Sequence, residues 1–155
     1  MAVYIIVEGP DGAGKTTLIN KLLKVHSSTE YIHFGVPEDY TLQFDMYRLA
    51  IAKNYSKDIV IFDRSWYSDQ VYAPIMRQRE EMTAAQVLIL ERTIEAYGGG
   101  MVLYLTADPD VLWERCTAEG ESYIPNKETL AMIAHEYEAV MAAATLPVVK
   151  SYTDR

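Results

Sequence analysis

The sequence has few of the features that mark secreted, membrane or nucleic-acid-binding proteins. Its 155 residues include one cysteine, Cys116, which excludes an internal disulfide and is typical of a reducing compartment. Lysine and arginine number 14 against 22 acidic residues, and the net charge of −8 argues against a general binder of nucleic acid or of membrane surfaces. No apolar run approaches the roughly 20 residues that cross a bilayer, and residues 1–5 lack the basic start of a signal peptide. We therefore expect a cytoplasmic protein with a single domain over residues 1–155.

Short apolar runs alternate with helical patterns along the chain. Five such runs predict strands, at residues 3–7, 31–34, 58–62, 101–105 and 148–149. Strands that are separated by helices pair in parallel through right-handed crossovers, which predicts an α/β fold with helices on both faces of the sheet. Ligands of such folds bind beyond the carboxyl ends of the strands, so the residues that follow each strand are the candidate site.

The first predicted strand is followed by a complete phosphate-binding motif. Residues 9–16 match the pattern G-x-x-x-x-G-K-[ST]. Its glycines let successive backbone N–H groups surround an anion, and the helix that follows directs its positive end to the same place. Lys15 then neutralises the β- and γ-phosphates, while the Thr16 hydroxyl is suited to ligate Mg²⁺. The residues assigned to this phosphate site are Gly9, Asp11, Gly12, Ala13, Gly14, Lys15, Thr16 and Thr17.

A second polar segment follows the third predicted strand. Asp63 ends that strand and is suited to hold Mg²⁺, directly or through water, beside the phosphate loop. Arg64 comes next and offers a planar guanidinium that fits phosphate oxygens. The alternative is that the two residues form a surface ion pair that caps the strand.

These two segments resemble a known group of kinases. Residues 8–18, E-G-P-D-G-A-G-K-T-T-L, resemble the opening of thymidylate kinases, and residues 63–72 resemble their D-R-[YH]-x-x-S-x-x-x-Y segment. Residues 64–69, R-S-W-Y-S-D, also resemble the E-R-S-x-Y-S-D segment of deoxyribonucleoside kinases, with Asp63 where that family has glutamate. The resemblance implies the three-layer P-loop kinase fold with a five-stranded parallel sheet. It also implies ATP with Mg²⁺ as the phosphoryl donor, and a nucleoside or nucleotide as the acceptor.

The resemblance implies roles for individual residues as well. Arg64 would hold the acceptor's phosphate or the reacting oxygens, and Asp69 would lie near the base. Arg115 is suited to stabilise the charge on the transferring phosphoryl group, although the dipole at a helix C-terminus is an alternative partner. The sequence departs from the pattern in its length, which is short for a thymidylate kinase, and in its lid. That lid, at about residues 117–126, is abbreviated and has Glu119 where a second arginine often stands.

The loop after the second predicted strand is acidic. In the resembling families the acceptor lies against this loop, where Glu38 and Asp39 could accept a proton from an attacking hydroxyl or bind a sugar hydroxyl. The alternative is that these carboxylates cap the next helix. His33, which lies in the strand itself, is interpreted as a core histidine.

Aromatic residues surround the segment after the third strand and offer faces on which a base can stack. The candidates for acceptor binding are Glu38, Phe44, Arg64, Trp66, Tyr67, Asp69 and Tyr72. Arg77 and Arg79 follow on the same predicted helix, and helical spacing allows at most one of them to face the site.

Together these patterns predict an ATP-dependent kinase of deoxynucleoside monophosphates, similar to thymidylate kinases. A deoxynucleoside kinase that phosphorylates the 5′-hydroxyl is the alternative, and residues 64–69 favour it. A kinase of nucleic-acid ends or modified bases is disfavoured by the net charge of −8. A non-catalytic nucleotide switch is disfavoured as well, because it would need no acceptor pocket. The expected partner is a small nucleotide or nucleoside rather than a membrane or nucleic acid, and a homodimer is left open.

Overall fold

The computed structural model describes residues 1–118 and 123–154, over which strands are separated by helices as the sequence predicts. The strands are β1 (Val3–Glu8), β2 (Thr29–His33), β3 (Ile59–Asp63), β4 (Gly100–Thr106) and β5 (Val148–Tyr152). The helices are α1 (Lys15–Leu23), α2 (Gln43–Lys53), α3 (Trp66–Met76), α4 (Ala84–Tyr97), α5 (Pro109–Thr117) and α6 (Lys127–Ala143), with a 3₁₀ turn at Tyr40–Leu42 before α2. Among the described residues, no helix has the length and apolar character needed to cross a bilayer.

The five strands form one parallel sheet in the order β2-β3-β1-β4-β5, which confirms the predicted fold. The central strand β1 pairs with β3 on one side and β4 on the other, so the chain reverses its direction of winding beside β1. This is the position at which open α/β sheets bind ligands. The register aligns His33 with Asp63 and Val7 with Asp63, which brings the polar ends of three strands to one edge.

The central strands are buried because helices cover both faces of the sheet. In β3, Val60, Ile61 and Phe62 are inaccessible to solvent, as the continuous apolar run predicts. On β1, the Tyr4 hydroxyl donates to the carbonyl of Ile51 in α2 at 2.6 Å, while α1 packs against β1 and β3. Helix α6 packs on α3 and α5, and α2 packs on α4.

Helix boundaries follow local signals. The Thr83 side chain accepts from the backbone N–H of Gln86 and completes a capping box at α4, and Asp108 caps α5 ahead of its first-turn proline. Apolar residues at helical spacing predict one helix over residues 15–26 and another that reaches Tyr55, but both helices end earlier. Val25 lies beyond the end of α1 and Tyr55 beyond the end of α2, and both side chains are exposed.

Candidate active site

The phosphate loop packs tightly between β1, β4 and α5. A side chain at Gly9, whose φ is 149°, would place its Cβ 2.1 Å from the carbonyl oxygen of Leu105. A side chain at Gly12, whose φ is 84°, would meet the carbonyl oxygen of Leu112 at 2.7 Å. Only glycine fits both constraints, so the two glycines are required by the path of the loop and by its neighbours.

Lys15 lies over this loop. Its Nζ donates to the carbonyl oxygens of Gly9 at 2.9 Å and Pro10 at 3.1 Å. Burial, and then the positive charge of Arg64, lower the pKa of Lys15 to about 7. The ammonium is thus poorly compensated by the protein alone, and phosphate oxygens would stabilise its charged form. Thr16 follows on the exposed first turn of α1.

This lowered pKa predicts that nucleotide binding takes up a proton. Above pH 7 the free protein holds Lys15 largely neutral, whereas the phosphates of a nucleotide favour the ammonium. Affinity for Mg·ATP should therefore fall as the pH rises above 7, by at most about tenfold per pH unit for one linked proton.

Calorimetry at pH 8 in buffers of different ionisation enthalpy measures the proton uptake. Lys15→Arg is the control, because a guanidinium stays charged and should abolish the uptake. Equal uptake in both proteins would contradict the assignment to Lys15.

A buried carboxylate, Glu8, organises the end of β1. Glu8 is inaccessible to solvent and accepts hydrogen bonds from the hydroxyls of Ser65 at 2.7 Å, Ser68 at 2.6 Å and Tyr137 at 2.9 Å. The backbone N–H of Ser68 donates to the same carboxylate at 3.1 Å. Burial raises the pKa of Tyr137 well above its ordinary value, so its hydroxyl keeps the proton that it donates. Glu8 thereby ties β1 to the start of α3 and to α6.

Arg64 is placed by this network. Its backbone has a φ of 67°, a left-handed conformation that non-glycine residues rarely adopt and that is found often at functional sites. Its guanidinium donates to Asp11 at 3.2 Å, Ser68 at 3.3 Å and Tyr137 at 3.1 Å. The guanidinium carbon lies 5.0 Å from the centre of the Tyr72 ring, and the Tyr72 hydroxyl also donates to Asp11. The alternative, a surface ion pair between Arg64 and Asp63, does not form, because Arg64 pairs with Asp11 from the phosphate loop.

Asp63 is held by β2. Its Oδ2 accepts from the Tyr31 hydroxyl at 2.5 Å and lies 3.1 Å from Nδ1 of His33. The interpretation of His33 as a core residue is wrong, because β2 is the edge strand of the sheet and leaves the imidazole more than half exposed. Both contacts use Oδ2 of Asp63, and the carboxylate lies at the carboxyl edge of the sheet as predicted.

A cavity of about 520 Å³ opens beside the phosphate loop, of a size that suits a small ligand. Its walls come from the loops after β1, β2 and β3, from α2 and α3, and from residues 123–124. Arg64 and Asp11 stand at the end nearest the phosphate loop. The apolar part of the wall is formed by Phe34, Val36, Pro37, Met76 and Ile124.

The structure brings some predicted acceptor residues to this cavity and not others. Arg64, Asp69 and Tyr72 line it. Trp66 and Tyr67 do not, because the first turn of α3 is buried on all sides and both side chains lie in the core with no exposed surface. Phe44 packs at the edge of the core outside the cavity lining. Trp66 and Tyr67 therefore offer no face to a base, and Phe44 lies outside the lining. The lining residues found in their place are Phe34, Gln43 and Tyr47.

The carboxylates after β2 differ in their positions. Asp39 accepts from the backbone N–H of Thr41 at 3.0 Å and from its hydroxyl, which lowers the pKa of Asp39 and makes it the cap of the 3₁₀ turn. Glu38 is exposed, and it follows Pro37, which lines the cavity. The alternative that these carboxylates cap the next helical element therefore holds for Asp39 alone.

Arg115 contacts the phosphate loop rather than only the end of its own helix. Its guanidinium donates to the carbonyl oxygen of Gly12 at 3.2 Å and to both the hydroxyl and the carbonyl oxygen of Thr153. The Thr153 hydroxyl in turn donates to the carbonyl of Ala13 at 2.9 Å. Of the predicted lid, Ile124 is buried against the cavity, while Glu119 and its neighbours 120–122 lie outside the described residues.

Comparison with known proteins identifies the family of this fold and site. A family model described as deoxynucleoside kinase matches residues 5–155. The chain belongs to the deoxynucleoside kinase family. It is accordingly an enzyme that transfers phosphoryl groups, a kinase of the nucleoside and nucleotide class that uses a nucleotide.

Individual relatives support the assignment. The chain is 32% identical over 149 residues to the SPbeta prophage-derived uncharacterized protein YorR of Bacillus subtilis. The match covers 92% of this chain and 84% of that protein. The crystal structure of YorR in complex with phosphorylated GDP has a TM-score of 0.78 at 30% identity, covering 99% of this chain and 87% of that one. A polyphosphate:AMP phosphotransferase of Acinetobacter johnsonii is 31% identical over 107 residues, which is 57% of this chain but 22% of that protein.

Proposed function

We propose that this kinase transfers the γ-phosphoryl group of ATP to a deoxynucleoside monophosphate. The observation that carries the proposal is the guanidinium of Arg64 at the end of the cavity nearest the phosphate loop. A monophosphate brings its own negative charge to this point, where a cation stabilises it. The binding of phosphorylated GDP by YorR also supports a nucleotide in this site.

The carboxylates around the cavity support an acceptor that is already charged. Asp11 and Asp69 line the cavity, but Asp11 is engaged by Arg64 and by the Tyr72 hydroxyl. Asp69 is engaged by Arg79 and by the backbone N–H of Met82. Glu38 and Asp39 are not part of the lining. A 5′-hydroxyl would need a base to remove its proton, whereas a phosphate oxygen attacks without one.

The donor would bind across the loop at residues 9–17. Lys15 would release its hydrogen bonds to Gly9 and Pro10 and turn to the β- and γ-phosphates. Thr16 and Asp63 are the residues proposed to hold Mg²⁺, which would neutralise charge on the phosphates. Among the described residues no group of three or more His, Cys, Asp or Glu could hold a metal alone, which fits an ion held largely by phosphate oxygens.

Catalysis in this arrangement rests on positioning and charge. Glu8, Ser68 and Tyr137 fix Arg64, so its guanidinium needs little reorganisation when the acceptor binds. Arg115 contacts the loop at the carbonyl oxygen of Gly12, from which it is suited to stabilise the transferring group. No side chain is required to form a covalent intermediate.

A deoxynucleoside kinase is the second candidate, because the exposed carboxylate of Glu38 adjoins the cavity wall at Pro37. Turnover of deoxynucleosides and their monophosphates with Mg·ATP, with products identified by mass, separates the two functions. We expect turnover of monophosphates alone. In that case Glu38→Gln and Asp39→Asn should each leave kcat within about tenfold, a change in barrier below about 1.4 kcal/mol.

A nucleoside kinase would give the opposite result. Turnover of nucleosides alone, with a loss in Glu38→Gln of about 10²-fold or more, is what removal of a general base produces. Asp39→Asn is the matched control, because Asp39 caps the 3₁₀ turn and should affect stability rather than turnover. That pattern would overturn the proposal of a monophosphate acceptor.

A further inference from the structure

The segment that follows β5 contacts the phosphate loop through the side chain of Thr153. The Thr153 hydroxyl donates to the carbonyl oxygen of Ala13 at 2.9 Å and accepts from the Arg115 guanidinium at 3.1 Å. It also lies 3.2 Å from the carbonyl oxygen of Thr106, but its single proton serves one carbonyl at a time and the Ala13 oxygen is nearer. Thr153 therefore joins the loop to an arginine that the proposed reaction uses.

The backbone around Thr153 is held on both sides. Its own N–H donates to the carbonyl of Thr106, the last residue of β4, at 2.7 Å. The next residue, Asp154, accepts from the backbone N–H of Asp108, the cap of α5, at 2.8 Å. Because Arg115 lies on α5, the segment after β5 contacts the helix of this arginine at its start as well as at the guanidinium. The Thr153 hydroxyl thus meets the loop from a fixed position.

The carbonyl oxygens of the loop are held by two different sets of side chains. Lys15 donates to two carbonyls at the start of the loop, and it would release them when it turns to the phosphates of a donor. The carbonyls of Gly12 and Ala13 are instead held by Arg115 and Thr153. Since this second set does not include Lys15, its bonds can keep the shape of the loop while a donor binds.

The bond from Thr153 also sets the direction of an N–H group in the loop. A peptide group is planar and trans, so its C=O and its N–H point in opposite directions. With the Ala13 carbonyl held by Thr153, the N–H of Gly14 is fixed on the other side of that peptide. This N–H has no hydrogen-bond partner within residues 1–118 and 123–154, and a Cβ at Gly14 would meet nothing within 4 Å beyond its chain neighbours. The Gly14 N–H is therefore available to an anion.

Arg115 keeps part of its guanidinium available although it is anchored. Of the five N–H groups of an arginine, those on one terminal nitrogen donate to the Gly12 carbonyl and the Thr153 hydroxyl, and one on the other donates to the Thr153 carbonyl. The Nε–H and one terminal N–H have no partner in the described part of the chain, so they can bind phosphoryl oxygens. A guanidinium that is already held needs little reorganisation in the transition state.

From these contacts we propose that Thr153 is a positioning residue for phosphoryl transfer. Its hydroxyl holds Arg115 and the Ala13 peptide in the arrangement that receives the phosphates of the donor. The segment after β5 then belongs to the donor site without a contact between Thr153 and the nucleotide. The inference rests on the proposed function in one respect, the binding of the donor at residues 9–17, and is independent of which acceptor is phosphorylated.

The test compares Thr153→Val, which keeps the shape of the side chain but removes the hydroxyl, with Thr153→Ser, which keeps the hydroxyl. Steady-state kinetics with Mg·ATP and the acceptor found by the turnover screen measure kcat/KM for ATP and KM for the acceptor separately. We expect Thr153→Val to lower kcat/KM for ATP by about tenfold or more, the order expected for loss of one hydrogen bond to a charged group. The acceptor KM should stay within about twofold, and Thr153→Ser should restore kcat/KM for ATP to within about threefold.

Thr93→Val is the matched control for this substitution. The Thr93 hydroxyl donates to the carbonyl of Ile89 within α4, a helix that does not line the cavity, so kcat/KM for ATP should not change. Near-normal kcat/KM for ATP in a folded Thr153→Val protein would overturn the inference. A loss that Thr153→Ser does not restore, or one that falls on the acceptor KM, would overturn it as well.

A double-variant cycle determines whether Thr153 acts through Arg115. Arg115→Met alone should lower kcat/KM for ATP, and the addition of Thr153→Val should then cost at most about a further threefold. A further loss of about tenfold would show that the two residues act independently, which contradicts a positioning role for Thr153. Near-normal kcat/KM for ATP in Arg115→Met would contradict it too.

Folding and the proposed function are measured separately. Thermal unfolding identifies a variant that fails to fold, and in that case Thr153→Ala decides, because it removes the hydroxyl without placing a methyl group beside the Ala13 carbonyl. Turnover of nucleosides in place of monophosphates would reject the proposed acceptor and leave the comparison of Thr153 variants valid. If Lys15→Ala is inactive while Thr153→Val is fully active, the donor binds at the loop and the role of Thr153 alone is rejected.

Discussion

Lys15→Ala should remove phosphoryl transfer and leave the fold intact. Among residues 1–118 and 123–154, the Nζ of Lys15 donates to the carbonyl oxygens of Gly9 and Pro10, and its side chain is not part of the apolar core. Its function is to bring a positive charge to the phosphates. Loss of one transition-state cation costs about 10³–10⁵ in rate in enzymes of this class, and we expect a reduction in kcat of that order.

The measurement combines steady-state kinetics with thermal unfolding. Because burial opposes the charged form of Lys15, alanine should not lower the unfolding midpoint. Lys21→Ala on the exposed side of α1 is the matched control and should retain full activity. A folded Lys15→Ala protein with near-normal kcat would show that the loop at residues 9–17 does not hold the donor.

The fold and the phosphate loop could be predicted because their signals are local. Apolar runs mark the strands, and the loop motif consists of consecutive residues whose spacing fixes its geometry. The parallel sheet then brings Asp63 and Arg64 to the same edge as the loop, as predicted. That Arg64 pairs with Asp11 could not be predicted, because it depends on a left-handed φ of 67° that no sequence pattern marks.

Other features of the site depend on which face of a helix meets the core. Trp66 and Tyr67 were assigned to the acceptor, but α3 is covered on both sides at its first turn, so its largest rings are buried. The place of Gln43 at the cavity could not be predicted, because a single polar residue at a helix start has no periodicity. The importance of Glu8, by contrast, could have been predicted. A glutamate that ends a strand buried on both faces is itself a signal, since a buried carboxylate requires partners.

Arg64→Ala should abolish most of the activity through the acceptor. The guanidinium of Arg64 donates to Asp11, Ser68 and Tyr137, and its removal leaves the Asp11 carboxylate without its cation at the wall of the cavity. Truncating one partner of a hydrogen-bonded charge pair costs about 2–5 kcal/mol, which corresponds to a reduction in kcat/KM for the acceptor of about 30-fold to a few thousandfold. The Km for ATP should change less, because Lys15 and the loop bind the donor. Arg64→Lys keeps the positive charge but lacks the planar guanidinium that can bind two oxygens at once, so it should recover only part of the lost kcat/KM.

A second comparison separates the role of Arg64 in substrate binding from its role in the ion pair. If Arg64 only neutralises Asp11, then Asp11→Ala combined with Arg64→Ala removes both charges and should restore stability and turnover together. If Arg64 binds the acceptor, the double variant should recover the unfolding midpoint while kcat/KM for the acceptor stays low. Activity regained in the double variant would assign Arg64 to the structure of the loop. Asp11→Ala alone is the control, because Asp11 belongs to the phosphate loop. Activity lost in a stable double variant but retained in Asp11→Ala would place the Arg64 guanidinium on the oxygens of the acceptor, where the left-handed backbone and the Glu8 network hold it.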